Sequence, residues 1–147
     1  MNTRIAFALA AVGAVLGLTV SASGNAPDNR YTVASGTVYD TKTKLTWQQV
    51  VPWTTYSWAD AKTYCAGLSL AGTGWRLPTV KELQTILDES RTNPSIDPNA
   101  FPSTPTDWFW SSSSWAGSSS LAWGMNFSYG GTDYGSGADP TFVRCVR

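Results

Sequence analysis

Residues 107–139 contain many tryptophan and tyrosine side chains among serines and glycines. An aromatic ring has an apolar face and a polar edge, which suits the C–H face of a sugar, and a nearby amide or carboxylate can bind sugar hydroxyls. Trp115 and Tyr134 lie in predicted serine- and glycine-rich loops, where a core role explains them poorly. We therefore predict a ligand-binding face formed by Trp115, Asn126, Asp133 and Tyr134, with both rings exposed.

Carboxylates and an amide in the second half of the chain are candidates for Ca²⁺ binding, since Ca²⁺ prefers oxygen ligands. Their spacing matches no calcium-binding loop, so no cofactor is predicted. The candidate ligands are Asp97, Asn99, Asp107, Asp133 and Asp139.

The sequence does not predict an enzyme. It contains no histidine to act as a general base. The serine run over residues 111–114 lacks a nucleophile-elbow motif. Glu82 is better explained as a helix-capping acid, and the two cysteines are expected to be paired.

The N-terminal residues have the features of an export signal. Arg4 supplies a positive charge, residues 5–20 are apolar or small, and Ala22 ends a small-residue cleavage site. The alternative is an uncleaved membrane anchor, for which the apolar run is short. The predicted organisation is a signal peptide over residues 1–22, a short tether over 23–29 and one domain over 30–147.

The chain has two cysteines, Cys65 and Cys145. In an exported protein two cysteines predict one disulfide, and the absence of histidine argues against a metal pair. We expect a secreted, periplasmic or cell-surface location.

Charge restricts the class of partner. The chain has 10 basic and 10 acidic residues, and cleavage after Ala22 removes Arg4 and leaves a charge near −1. A neutral chain argues against nucleic acid and against a strongly electrostatic grip on a polyanion. No second apolar segment follows residue 20, so no transmembrane segment is expected in the mature chain.

The elements that must position these residues form an α+β pattern of strands, two helices and further strands. A hairpin is predicted over residues 31–49. Ser57, with Asp60, is expected to cap a first helix whose apolar stripe includes Cys65. Thr79 and Glu82 form a Thr-x-x-Glu box that caps a second helix.

After residue 107 the pattern indicates strands. A short strand over residues 108–110 precedes the serine run, and residues 121–129 alternate with period two. Trp110, Trp123 and Phe127 are expected in the core. Residues 134–140 are predicted to form a loop, and residues 141–147 the last strand, with Arg144 and Arg147 solvated.

Several motifs resemble, in order, those of the Lcl C-terminal domain family. The resemblance implies a C-type-lectin-like fold with paired N- and C-terminal strands and a long loop region. It also implies exported or surface proteins, whose adhesin members bind glycosaminoglycan-like polysaccharides. The matching motifs are Leu45-Thr46-Trp47-Gln48, Trp58-Ala59-Asp60-Ala61, Tyr64-Cys65, Gly74-Trp75-Arg76-Leu77-Pro78-Thr79, Glu82-Leu83, Phe109-Trp110-Ser111-Ser112-Ser113 and Val143-Arg144-Cys145-Val146-Arg147.

The motif over residues 74–79 is interpreted as structural. Arg76, beside Trp75 and ahead of Pro78, is expected to stack on an aromatic ring and bind loop carbonyls. The predicted function is a secreted or cell-surface, non-catalytic binding module that recognises a glycan or another envelope component, as an adhesin does. The alternative is a structural or protein-interaction domain of an exported assembly, and an enzyme is the third possibility.

Overall fold

The computed structural model describes Pro27 and residues 29–147, which form an α+β fold. The predicted signal peptide over residues 1–22 lies outside the described residues, as does most of the tether over 23–29. None of the described helices is long and apolar enough to cross a membrane. The strands are β1 (Tyr31–Ala34), β2 (Thr37–Asp40), β3 (Thr46–Gln48), β4 (Trp108–Trp115), β5 (Ser118–Asn126) and β6 (Thr132–Ser136), and the helices are α1 (Trp58–Gly67) and α2 (Val80–Thr85).

Sheet 1 consists of β1, β2 and β3, paired antiparallel in chain order. Ser35 and Gly36 join β1 to β2 with φ values of 52° and 77°. Two positive φ values suit a tight hairpin turn whose twist matches the flanking strands. The predicted hairpin over residues 31–49 is therefore a three-stranded meander, with Trp47 of β3 fully buried.

Sheet 2 consists of β4, β5 and β6, and Phe142 pairs with Phe109 along the other edge of β4. Three predictions here were wrong. The serine run over residues 111–114 belongs to β4, and Trp115 and Tyr134 lie in β4 and β6 instead of loops. Serine and glycine have a weak strand propensity, so the sequence did not predict strands here. Backbone hydrogen bonds with β5 stabilise both segments as strands.

Both helices begin at the predicted caps. Ser57 Oγ accepts a hydrogen bond from Asp60 N at 3.2 Å. Thr79 Oγ1 accepts one from Glu82 N at 3.2 Å, and Glu82 Oε2 accepts one from Thr79 N at 2.7 Å. The reciprocal pair confirms the capping box, which satisfies two N–H groups that the helix itself cannot. α1 ends at Gly67.

A disulfide joins Cys65 of α1 to Cys145, with their Cα atoms 5.4 Å apart. This confirms the pairing predicted from the sequence. The segment around Cys145 lies between β3 and Arg76 and forms backbone hydrogen bonds with both. Gln48 N donates to Cys145 O at 2.9 Å, and Arg76 N donates to Val146 O at 2.8 Å. The predicted last strand is thus present as a series of short bridges that extend sheet 1.

Arg144 is fully buried, so its predicted exposure was wrong. Its Nη1 donates to Gln48 O at 2.7 Å and to Gln49 O at 2.6 Å. Its Nη2 donates to Thr104 Oγ1 at 2.7 Å, and its guanidinium lies 4.8 Å from the ring centroid of Phe101. Burial lowers the pKa of Arg144 to about 9, so it stays charged at neutral pH and ties three loops together.

The burial pattern of β5 differs from the predicted alternation. Trp110, Met125 and Phe127 are buried as expected, but Trp123 is half-exposed. Ala122, on the other predicted face, is buried against α1 in the cluster that contains Trp110. Both faces of sheet 2 are covered in part, so buried residues occur on both faces of its central strand.

Removal of the disulfide is expected to destabilise the protein strongly. The bond closes a loop with a sequence separation of 80 residues, for which the chain-entropy model gives about 4–5 kcal/mol. A Cys65→Ala, Cys145→Ala double variant should therefore unfold at much lower urea concentration than the parent. Urea titrations with and without reductant measure this effect. Equal midpoints for parent and variant without reductant would contradict it.

Candidate functional site

An open cleft of about 390 Å³ lies on one face of sheet 2. Trp110, Gly124 and Asp133 are directly opposite one another on β4, β5 and β6. Residues opposite one another share a face of the sheet, which we call the cleft face. Thr55 and residues 139–142 also line the cleft. The volume falls within the range of about 300–1,000 Å³ that is typical of ligand pockets.

Three carboxylates line the cleft, whereas no lysine or arginine does. Asp107 Oδ1 accepts a hydrogen bond from Trp108 N at 2.7 Å, and Asp133 Oδ1 accepts one from Tyr134 N at 2.8 Å. These bonds orient each carboxylate. Asp139 N donates to Ser136 O at 2.9 Å, but the Asp139 carboxylate has no hydrogen-bond or ion-pair partner among the described residues. The cleft therefore favours hydroxyl, amide and ammonium donors and disfavours anions.

Aromatic side chains supply the apolar part of the cleft. Trp108 and Phe142 line it together with Trp110, whose indole Nε1 donates to Tyr56 O at 3.0 Å. That bond fixes the orientation of a ring that is otherwise buried. Gly124 allows β4 and the Trp108 ring to pack closely here, because a Cβ atom at this position would lie 3.1 Å from the carbonyl oxygen of Phe109 and 3.4 Å from Cε3 of Trp108.

The predicted ligand residues Trp115 and Tyr134 form a stacked pair, with ring centroids 4.6 Å apart. Trp123 contacts Tyr134 edge-on at 5.7 Å. Consecutive strand residues point to opposite faces, so the register places Tyr134 with Trp123, away from Asp133. Tyr134 also borders the cleft and is 43 % exposed, while Trp115 is half-buried. The predicted exposure is therefore correct for Tyr134 alone.

Asn126 is 7 % exposed and is not available as predicted. Its Oδ1 accepts hydrogen bonds from Ser128 N at 2.7 Å and Ser128 Oγ at 2.6 Å. The amide thus stabilises the turn after β5, a local role that asparagine often has. Of the four predicted ligand residues, Asp133 and Tyr134 border the cleft.

The candidate calcium ligands fall in different places: Asp107, Asp133 and Asp139 line the cleft, whereas Asp97 and Asn99 do not. Asp97 Oδ1 accepts a hydrogen bond from Asn99 N at 2.8 Å, and Asp97 borders a different depression, beside Tyr31. Across the described residues, no group of three or more His, Cys, Asp or Glu side chains is arranged to hold a metal ion.

Within the motif over residues 74–79, Arg76 makes different contacts from those predicted. Arg76 does not stack; it forms two hydrogen bonds with the Glu82 carboxylate, at 2.8 and 2.6 Å. Glu82 therefore binds Arg76 and closes the capping box with Thr79 at the same time. The carbonyl of buried Pro78 accepts a hydrogen bond from Ser112 N at 2.7 Å, which attaches the motif to β4.

Arg147 makes the contacts that were predicted for Arg76. Its guanidinium lies 5.2 Å from the ring centroid of Trp75, and its Nη2 donates to Ala71 O at 3.0 Å. Trp75 Nε1 donates to Leu70 O at 3.0 Å and to Gly72 O at 3.2 Å. Trp75 and Arg147 together therefore fix the loop that leads out of α1.

Sequence reasoning missed two aromatic side chains beside the cleft. Trp53 is 70 % exposed and Tyr129 is 62 % exposed. Tyr129 was predicted to continue the period-two alternation of a strand that ends three residues earlier, at Asn126. Trp53 follows a proline and fits no apolar periodicity. That lack of periodicity was a signal of exposure.

The family model described as "Lcl C-terminal domain" matches residues 36–147. A comparison with curated proteins found no match.

Replacement of Thr79 by alanine is expected to lower the free energy of unfolding by about 0.5–2 kcal/mol, because Glu82 N loses its acceptor. Ligand binding should not change, since Thr79 does not line the cleft. Chemical denaturation measures the stability. An unchanged free energy would show that the box contributes nothing.

The Arg76–Glu82 pair predicts a specific acid sensitivity. The hydrogen bond from Arg76 holds the pKa of Glu82 below its usual value of 4.5. A lowered folded-state pKa adds stability above pH 4.5 that is lost as the pH falls through the lowered pKa. The stability difference between the parent and Glu82→Gln should therefore shrink at acid pH. A difference that stays constant down to the acid transition would contradict this.

Proposed function

We propose that this chain, which belongs to the Lcl C-terminal domain family, is a secreted or cell-surface, non-catalytic module that binds a glycan or another envelope component. The binding site is the cleft on sheet 2, and the role is adhesin-like. Its family membership follows from the match over residues 36–147. The ligand and the location are proposals.

The composition of the cleft is the observation that carries this proposal. Sugars have C–H faces that pack on aromatic rings and hydroxyls that donate to carboxylates. Trp108 and Phe142 supply rings, and Asp107, Asp133 and Asp139 supply acceptors within a single cleft of about 390 Å³. A small number of polar groups among aromatic walls is the usual composition of a ligand pocket.

We propose a C-type-lectin-like architecture for the fold. Three features support it: two helices accompany antiparallel sheets, a long connection separates α2 from β4, and the final segment returns beside strand β3. Trp47 and Val146 form an antiparallel bridge, which places both ends of the domain in one sheet.

Export and the absence of catalysis are supported by the side-chain chemistry of the chain. Disulfides persist in oxidising compartments, so the Cys65–Cys145 bond fits a secreted, periplasmic or surface protein. Both cysteines are consumed in that bond and the sequence contains no histidine. A free thiol nucleophile and a histidine base are therefore missing. We propose calcium-independent binding.

A protein partner within an exported assembly is the alternative. The observation that favours it is the group of Trp115, Trp123 and Tyr134, which lies on the opposite face of sheet 2 from Asp133. Tyrosine and tryptophan are enriched at the centres of protein interfaces.

A glycan array of the disulfide-bonded protein, with Ca²⁺ and with EDTA, tests the proposal. Bound glycans should be the same under both conditions. Asp133→Asn and Asp139→Asn should each weaken binding by about tenfold, because each removes a charged acceptor worth about 1.5–3 kcal/mol. Both variants should melt like the parent, since both side chains are exposed.

Glu89→Gln is the matched control, because Glu89 is exposed and does not line this cleft. It should bind like the parent. An array without bound glycans, or equal binding by parent and cleft variants, would refute the cleft as a glycan site. Loss of binding in Trp123→Ala, with normal binding by both cleft variants, would assign the ligand to the opposite face, because Trp123 does not line the cleft.

A further inference from the structure

We infer that the cleft continues onto two exposed aromatic platforms, Trp53 and Tyr129, and that its ligand is an oligosaccharide chain without acidic groups. This inference rests on the proposed glycan binding and specifies its length and charge.

Trp53 and Tyr129 are the most exposed large hydrophobic side chains of the described residues, at 70 % and 62 %. Each contacts a ring that lines the cleft. Trp53 meets Phe142 edge-on with centroids 6.2 Å apart, and Tyr129 meets Trp108 edge-on at 6.4 Å. Two such rings beside one cleft form a continuous aromatic surface, which solvation alone does not explain.

The length of this aromatic surface can be estimated from the order of the strands. Phe142 lies on one edge of β4, and β5 and β6 follow on its other side. Three strand spacings separate Phe142 from β6, or about 14 Å. Trp53 extends the surface beyond Phe142, and Tyr129 lies in the turn that leads from β5 to β6. This distance exceeds one pyranose ring and suits a chain of several.

Tyr129 is held in place by a glycine. A Cβ atom at position 131 would lie 2.2 Å from Cε2 of Tyr129, so the ring packs directly over Gly131. The platform is therefore preorganised, which reduces the entropy lost on binding.

The negative charge of the cleft determines which oligosaccharide chains it can bind. Asp107, Asp133 and Asp139 line the cleft and no basic side chain does, so sulfated or uronic acid chains meet repulsion at its centre. Neutral chains and chains with amino groups donate hydrogen bonds to these carboxylates instead. The neutral net charge of the chain provides no compensating attraction for a polyanion.

Calorimetry with chitin, glucan and mannan oligosaccharides of one to six rings tests the inference. The parent's affinity should rise with chain length. Trp53→Ala and Tyr129→Ala should each lower the affinity for the long chains by about fivefold, the value of one aromatic contact. The affinity for single sugars should stay the same, because the cleft itself is unchanged.

Gly131→Ala should reproduce the effect of Tyr129→Ala, because a Cβ there displaces the ring without removing it. Tyr39→Ala is the control, since Tyr39 is an exposed aromatic of β2 that is absent from the cleft lining. It should bind every length like the parent. Heparin oligosaccharides of equal length should bind at least tenfold more weakly than the neutral chains.

The inference fails if both platform variants bind long chains as tightly as the parent. It also fails if each variant loses as much affinity for single sugars as for long chains. It also fails if heparin fragments bind best. A parent that binds none of these sugars at any length refutes the proposed glycan binding itself. The two failures are therefore distinguishable.

Discussion

Backbone pairing by residues 141–147 holds the two sheets together. Thr141 exchanges two hydrogen bonds with Tyr56, at 2.9 and 3.0 Å, and Phe142 pairs with β4. Further on, Cys145 is bonded to α1 and Val146 pairs with β3. Since sheets 1 and 2 share no strand, this segment provides the hydrogen-bonded connection that a continuous sheet would otherwise supply.

The same segment forms one wall of the cleft, which explains how a surface site becomes rigid. Phe142 and Thr141 line the cleft and are fixed on both sides by backbone hydrogen bonds. Arg144, fully buried, anchors the next turn to the carbonyls of Gln48 and Gln49. A binding site gains affinity when its walls lose little freedom on binding, and these contacts supply that restraint.

Local features were predictable from the sequence because their causes are local. The caps at Ser57 and Thr79 depend on residues three positions apart, and the disulfide depends on the presence of two cysteines. Arg144 was not predictable, because its three acceptors lie 40 or more positions away. The region of the cleft followed from its composition, but only two of the four predicted ligand residues, Asp133 and Tyr134, border it. A shift of one residue in register decides that Asp133 faces the cleft while Tyr134 packs on Trp123.

The motifs on which the resemblance to the family was based share only Trp110 with the lining of the cleft. Trp75, Arg76 and Glu82 serve the loop after α1 and the start of α2, and none of them borders the cleft. Members of one family can therefore keep this framework while the cleft changes its chemistry. The helix caps, the disulfide and the pairing of the final segment do not depend on the charge of the cleft. They are compatible with an acidic lining, such as that formed by Asp107 and Asp139, and equally with a basic lining. The ligand of a given member must consequently be inferred from the charge and the rings of its own cleft, and not from the motifs that identify the fold.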